Sequence, residues 1–380
     1  MVTRRPFSRS LIPTAAALAA CLSTSPALAE KPALSLYGFI RLDIIVDSQP
    51  TDRVQEPMYV LSATDPPQSG SFSLHPRASR IGLTVDDWSP VGNLDSEGRL
   101  EVDLMGGTRD RPSLRLRHAY FTFAADRFAE LLLGQTWDLM SPLFPAANFE
   151  TMMWNAGNTG DRRPQFRLTL TPFDKYRFGF SIGPGGELSL RDNDGDGRGD
   201  GEASMVPMVQ WLMEYRQRFR RAGILRLGIW GHAAFERHGD GTEYESWSFG
   251  GHLYLPLSRR LTLLGEFFRG QNLGDVRGGI GQGINVVDGR EITATGGWAE
   301  LAYTPSRRHL LAIGTTVDQA DIDDLESFDR RRNATYYAAI RYRPHRAVQL
   351  GAEYIRWITD YVDLSRGTNN RVDLFASMAF

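Results

Sequence analysis

The chain has 380 residues, 42% hydrophobic and 23% charged, with 45 acidic against 43 basic residues, which excludes a disordered or collagen-like polymer. Its 38 glycines and 20 prolines are too many for a coiled coil and suit short strands joined by tight turns, so an all-β reading leads. Only Lys31 and Lys175 are lysines; the other basic residues are arginine, whose planar fork suits carboxylate or phosphate.

Residues 1–29 read as an export signal peptide. Arg4, Arg5 and Arg9 precede the apolar run Leu11 to Leu22, and small residues at Ala27 and Ala29 mark a cleavage site before Glu30. Leu18-Ala19-Ala20-Cys21 also matches a lipoprotein signal acylated at Cys21, although the Ala-Leu-Ala site behind Pro26 is the better cleavage region. Cleavage after Ala29 leaves residues 30–380 as one barrel domain without cysteine. Removing the three leader arginines leaves 40 basic against 45 acidic residues, so no global basic field attracts nucleic acid.

No run of 18 apolar residues follows Ala29, which rules out a transmembrane helix. Period-two alternation in segments of about 10 residues recurs instead, the signature of a membrane β-strand. Leu34, Leu36, Ile40, Leu42, Ile44 and Val46 share one face against Tyr37, Arg41, Asp43 and Asp47; Leu100, Val102 and Leu104 oppose Arg99, Glu101 and Asp103. Short turn signals at 91–97, 125–128, 172–175, 220–223, 256–260, 305–308 and 344–346 alternate with long loops near 48–72, 106–112, 138–163, 184–204, 238–245, 270–290, 319–332 and 358–370. Seven short and eight long connections predict 16 strands, enough to enclose an aqueous lumen.

In the last segment Val372, Leu374, Ala376, Met378 and Phe380 form one apolar face, and the sequence ends on the aromatic residue. This resembles the final strand of Gram-negative outer-membrane barrels, in which the terminal Phe is an assembly signal read by the barrel-assembly machinery. Further matches are Tyr37-Gly38 with Arg41 and Asp43, Ala78 to Leu83, Arg115 to Tyr120, Leu131 to Trp137 and Arg163 to Arg167. These resemble the DcaP-like porins over residues 34 to 170, with later strands matching in pattern only. Cleavage after Ala29 would leave only a few residues before the first strand, too few for the coiled-coil extension of some members.

The resemblance implies a 16-stranded antiparallel transmembrane β-barrel of the cell outer membrane. It implies a homotrimer set in outer-membrane lipid and lipopolysaccharide that passes small anionic or polar solutes, such as carboxylates, by passive diffusion. It also makes 138–163 a constriction loop folded into the pore.

Arg41, Arg80 and Arg117 lie opposite the apolar stripes of their segments and are expected to face the lumen, with Arg77 and Arg115 nearby. Asp138, Glu150 and Asp161 are the loop acids available to face them across a transverse field, while Arg162, Arg163 and Arg167 close the loop with positive charge. The bland alternative pairs these arginines with Asp43, Asp86, Glu101 and Asp103. Phe144, Phe149, Met152, Met153 and Trp154 suit packing of the loop on the barrel wall.

Asp192, Asp194, Asp196 and Asp200, with Gly197 at position 6, form the head of a Ca²⁺-binding loop that lacks its closing glutamate. No cofactor is otherwise called for, and no enzyme: seven dispersed histidines form no H-E-x-x-H motif, and G-x-S-x-G is absent. A plugged structural or adhesion barrel is the alternative. An outer-membrane barrel hydrolase, for which His238 beside Asp240 is the only hint, ranks below it.

Overall fold

The computed structural model describes residues 32–63, 69–89, 94–186, 192, 195 and 197–380; the signal-peptide region and Cys21 lie outside them. Among the described residues one closed antiparallel sheet contains 16 barrel strands. They are β1 (Ala33–Asp47), β2 in two arms (Ser71–His75 and Arg80–Trp88), β3 (Asp95–Gly107), β4 (Pro112–Ala125), β5 (Ala129–Trp137), β6 (Arg162–Leu170), β7 (Tyr176–Gly183) and β8 (Met208–Phe219). The second half comprises β9 (Gly223–Arg237), β10 (Glu243–Pro256), β11 (Leu261–Gln271), β12 (Thr293–Ser306), β13 (His309–Ala320), β14 (Arg330–His345), β15 (Val348–Tyr361) and β16 (Gly367–Ala379).

Closure follows from β1 pairing on both edges. Phe39 to Asp47 pair with Ala379 to Arg371 of β16, and both arms of β2 pair with β1 on its other side. Residues 76–79 interrupt β2, and Arg77 fills the break by donating to the carbonyls of Leu104 (3.1 Å) and Met105 (3.0 Å). At the seam Phe380 donates to Gly38 O (3.1 Å) and accepts from Gly38 N (3.3 Å). A closed sheet leaves no unpaired edge, which a strand structure in lipid requires.

Burial is inverted relative to a soluble sandwich. On β1, Leu34 is 67% exposed while Arg41 is 2% exposed. The same alternation runs through β16, where Val372, Leu374 and Met378 are exposed and Arg371, Asp373 and Phe375 are buried. Apolar side chains outside and charged ones inside can be stable together only when hydrocarbon surrounds the barrel, so the sheet is a membrane barrel.

The fifteen expected connections lie within a few residues of their places, but 108–111, 238–242 and 362–366, expected to be long, are no longer than the turn at 171–175. One difference bears on function. Arg162 and Arg163, read as loop, pair with Trp137 and Thr136 in the β5–β6 ladder, because their backbone continues the register of Leu168 opposite Leu131.

Candidate functional site

The connection 138–161 turns into the lumen and is anchored to the wall along its length. The Gln210 side-chain oxygen of β8 accepts from Leu139 N (2.7 Å) and Met140 N (3.3 Å). Glu266 of β11 accepts from Leu143 N (2.9 Å) and from the Ser141 hydroxyl. Glu300 of β12 accepts from Ala146 N (2.6 Å), and Glu353 of β15 accepts from Asn148 N (2.8 Å). A carboxylate that accepts a buried N–H supplies a charge-assisted bond where water is scarce, so this half of the wall holds the loop by its backbone. Ser141, Asn148, Met152, Met153 and Asn155 take positive φ. Such backbone costs about 1–2 kcal/mol per residue for ordinary side chains and persists because the anchors fix it.

On the opposite wall the loop is held chiefly by the Glu150 carboxylate, with loop aromatics docked beside it. Glu150 meets Arg80 at 3.5 Å, Arg117 at 3.3 Å and Arg162 at 3.9 Å, and Arg115 is in direct hydrogen-bond contact. Beneath them a second layer of acids keeps the guanidiniums in place. Arg117 pairs with Glu101 (2.7 Å) and Asp103 (3.1 Å), and Arg115 with Asp103 (2.6 Å) and Glu56 (2.9 Å). Arg41 is ion-paired to Asp43 (2.5 Å) and lies between the rings of Phe375 (3.7 Å) and Phe149 (4.1 Å). Arg162 stacks on Trp137 at 4.9 Å and Trp154 at 5.8 Å. Cation–π contacts of this kind orient guanidinium planes and dock the loop aromatics on the wall.

A β-bulge adds a second inward side chain beside Arg117. Glu101 pairs with His118 while Val102 pairs with Leu116, so Arg117 and His118 share one inward position. Both are buried, and the parity of β4 is reversed beyond them, leaving Phe121 outside and Thr122 inside.

The structure brings together Arg80, Arg115, Arg117, Glu150 and Arg162, with Arg41 next to them through Phe149. Asp138, Asp161 and Arg163 lie elsewhere, at the base of the loop. Asp138 accepts from Asp161 N (2.8 Å) and the Gln210 amide (2.7 Å), and it faces Arg163 at 3.3 Å. Arg163 is fully buried and donates to the carbonyls of Pro184 (2.7 Å), Gly186 (3.0 Å) and Asp275 (3.0 Å), tying two further loops to the base of the inward loop. Asp161 pairs with Arg277 at 2.7 Å; burial pushes its carboxyl up, but Arg277 and then Arg162 outweigh this and hold it below its usual range.

Asp192 accepts from Gly195 N (2.6 Å) and Gly197 N (2.8 Å), and Asp200 faces His238 at 3.6 Å. Asp194 and Asp196 fall outside the described residues.

Sequence reading missed the anchoring acids Glu266, Glu300 and Glu353, and it missed Glu56. Each of the first three is a lone acid on an otherwise largely apolar inward face, and that isolation was the available signal. Glu56 carried no such signal, because it lies in a long loop; burial pushes its carboxyl above the usual range despite Arg115 beside it.

Open space flanks the loop on both sides. A cavity of about 470 Å³ on the loop side is lined by Arg53, Glu56, Arg115, Trp154, Arg162 and Arg277. One of about 220 Å³ on the turn side reaches Phe39, Arg41, Phe149 and Arg343.

No family model and no curated protein matches the chain. Solved structures do. The outer membrane channel DcaP of Acinetobacter baumannii superposes with a TM-score of 0.73 at 18% identity, covering 92% of this chain and 97% of that one. An anion-selective porin from Comamonas acidovorans gives 0.63 at 11% identity, covering 92% and 100%. Salmonella typhi OmpF gives 0.56 at 13% identity, covering 91% and 97%. With its closed 16-stranded sheet and inward loop, the chain has the fold of the outer-membrane porins.

Proposed function

We propose that the chain is an outer-membrane porin through which small hydrophilic solutes diffuse, with a preference for anions such as carboxylates. The accessible charge in the lumen supports this most directly. At the arginine wall the side chains of Arg80 and Arg115 are 14% and 25% exposed, whereas those of Glu150 and Asp103 are 5% and 0% exposed. Glu150 and Asp103 are therefore covered, and although Glu56 beside Arg115 is 16% exposed, a solute meets more guanidinium than carboxylate. An exposed guanidinium layer over a buried carboxylate layer attracts anions at short range even where the formal charges balance.

Single-channel recording in planar bilayers tests the reading: an open porin conducts steadily, and a plugged structural barrel or a barrel hydrolase does not. A homotrimer is part of the proposal, supported by the trimer form of one structural neighbour, OmpT of Vibrio cholerae, at a TM-score of 0.56. Two further roles belong to it. Phe380 serves as the assembly signal, so its removal is expected to lower the amount of folded barrel in the outer membrane. Ca²⁺ at Asp192, Asp194, Asp196 and Asp200 predicts binding heat with millimolar Ca²⁺ that an Asp194→Ala, Asp196→Ala variant loses.

A further inference from the structure

We infer that the turn-side mouth of the barrel carries a binding site for a compact oligophosphate, separate from the arginine wall at the inward loop. The site is an open pocket of about 530 Å³ lined by Arg259, Arg260, Arg307, Arg308, Arg341 and Arg343, with no aspartate or glutamate in its lining. Its arginines come from three successive connections: β10–β11, β12–β13 and the end of β14.

The backbone holds these pieces side by side. Thr304 N donates to Arg260 O (2.7 Å), and Arg343 N donates to Arg308 O (2.8 Å), so each turn is bonded to the next strand end. Adjacent strands lie about 4.8 Å apart. Neighbouring turns are thus two strand spacings, about 10 Å, apart, a gap that arginine side chains reaching from both turns span to meet one small anion.

The pocket opens on the lumen and not on lipid. Thr304 follows Glu300 and Ala302 on the inward face of β12, and Leu310 pairs with Arg341, whose side chain reaches Glu353 at 2.9 Å and the carbonyl of Ala146 in the inward loop. Arg343 also lines the smaller cavity beside Arg41 and Phe149.

Charge arithmetic selects the ligand class. Arg341 is paired with Glu353, but among the described residues Arg259, Arg260, Arg307, Arg308 and Arg343 have no carboxylate within 4 Å. Five bare guanidiniums around one pocket repel one another, and a dicarboxylate would offset only two of them. A di- or triphosphate brings about three to four charges in a compact volume and matches the forked donors of arginine. The turns 126–128 and 171–175 across the same rim carry Asp126 and Asp174 beside Arg127 and Lys175, whereas 257–260 and 303–310 carry no acid. Acid-free arginine turns also occur at 220–222 and 346–347, but only those at 257–260 and 307–308 line the pocket.

Titration calorimetry of the full chain in neutral detergent, with inorganic pyrophosphate at low ionic strength, tests the site independently of conduction. One pyrophosphate is expected to bind per chain, at least tenfold more tightly than acetate. The double variants Arg307→Gln/Arg308→Gln and Arg259→Gln/Arg260→Gln, each checked for barrel folding by heat-modifiable gel mobility, are expected to weaken it at least tenfold. A parallel titration with phosphatidylglycerol separates solute from lipid headgroup. No pyrophosphate heat with the unaltered chain, undiminished heat in both folded variants, or heat with phosphatidylglycerol alone would each overturn the site. Should one double variant fail to fold, the other decides.

Discussion

Arg117 on the barrel wall lies 3.3 Å from Glu150 on the inward loop, although 33 residues separate them in the chain. The contact joins the buried acids of the wall to the loop that narrows the lumen, and the bulge next to it turns His118 inward beside Arg117.

Arg117 and Arg80 are expected to respond differently to substitution. Arg117 is 3% exposed and holds three carboxylates, so Arg117→Gln strands buried charge and should cost about 3–5 kcal/mol of stability. Arg80 is more accessible and has one carboxylate partner at 3.5 Å. Arg80→Gln should leave the unfolding temperature within a few degrees while lowering the anion-to-cation permeability ratio about twofold. Equal losses of stability in the two variants, measured by thermal scans in detergent, would remove the distinction between a wall-holding and a solute-facing arginine.

Glu150→Gln keeps the size of the side chain and removes the charge that four guanidiniums share. Anion preference should rise and thermal stability fall. A variant that becomes more cation-selective would show that Glu150 does not mask the arginines.

Glu353 anchors the loop through Asn148 N and also holds Arg341. Glu353→Ala frees both, and the open-channel current noise should increase severalfold with the barrel intact by gel mobility. Unchanged noise would mean that the remaining anchors at Glu266 and Glu300 fix the loop by themselves.

Asp275, in the loop 272–292, is fully buried; burial first and the neighbouring Glu236 second push its carboxyl well above 3.8. A carboxyl raised in the folded state binds its proton more tightly there than in the unfolded chain. Its contribution to stability is therefore complete below about pH 3.8 and is lost as pH rises through the folded value. Asp275→Asn removes this dependence. Between pH 5 and pH 8 the unfolding temperature of the unaltered chain should fall more steeply than that of the variant, by a few degrees. Parallel curves would show that Asp275 does not carry the effect.

The barrel was legible because alternation and turn chemistry are local: Leu34 to Val46 announce their lipid face residue by residue, and segments such as Pro305 to Arg308 mark a turn. The inward arginines followed from the same parity. What the sequence concealed was partner choice across the lumen. Nothing near Glu150 distinguishes it from Asp138 and Asp161, yet it alone meets the arginine wall, because Asp138 is consumed at the loop base by Gln210 and Asp161 by Arg277. The Arg117 bulge was equally hidden, since an extra residue in one strand shows only against its neighbour.

The most direct measurement is the reversal potential of reconstituted channels in a tenfold KCl gradient at neutral pH. A steady conductance with chloride more permeant than potassium is the predicted result, persisting from pH 6 to 9 because guanidinium keeps its charge, and weakening at high salt. A cation-selective channel, or no conductance from a folded barrel, would contradict the account.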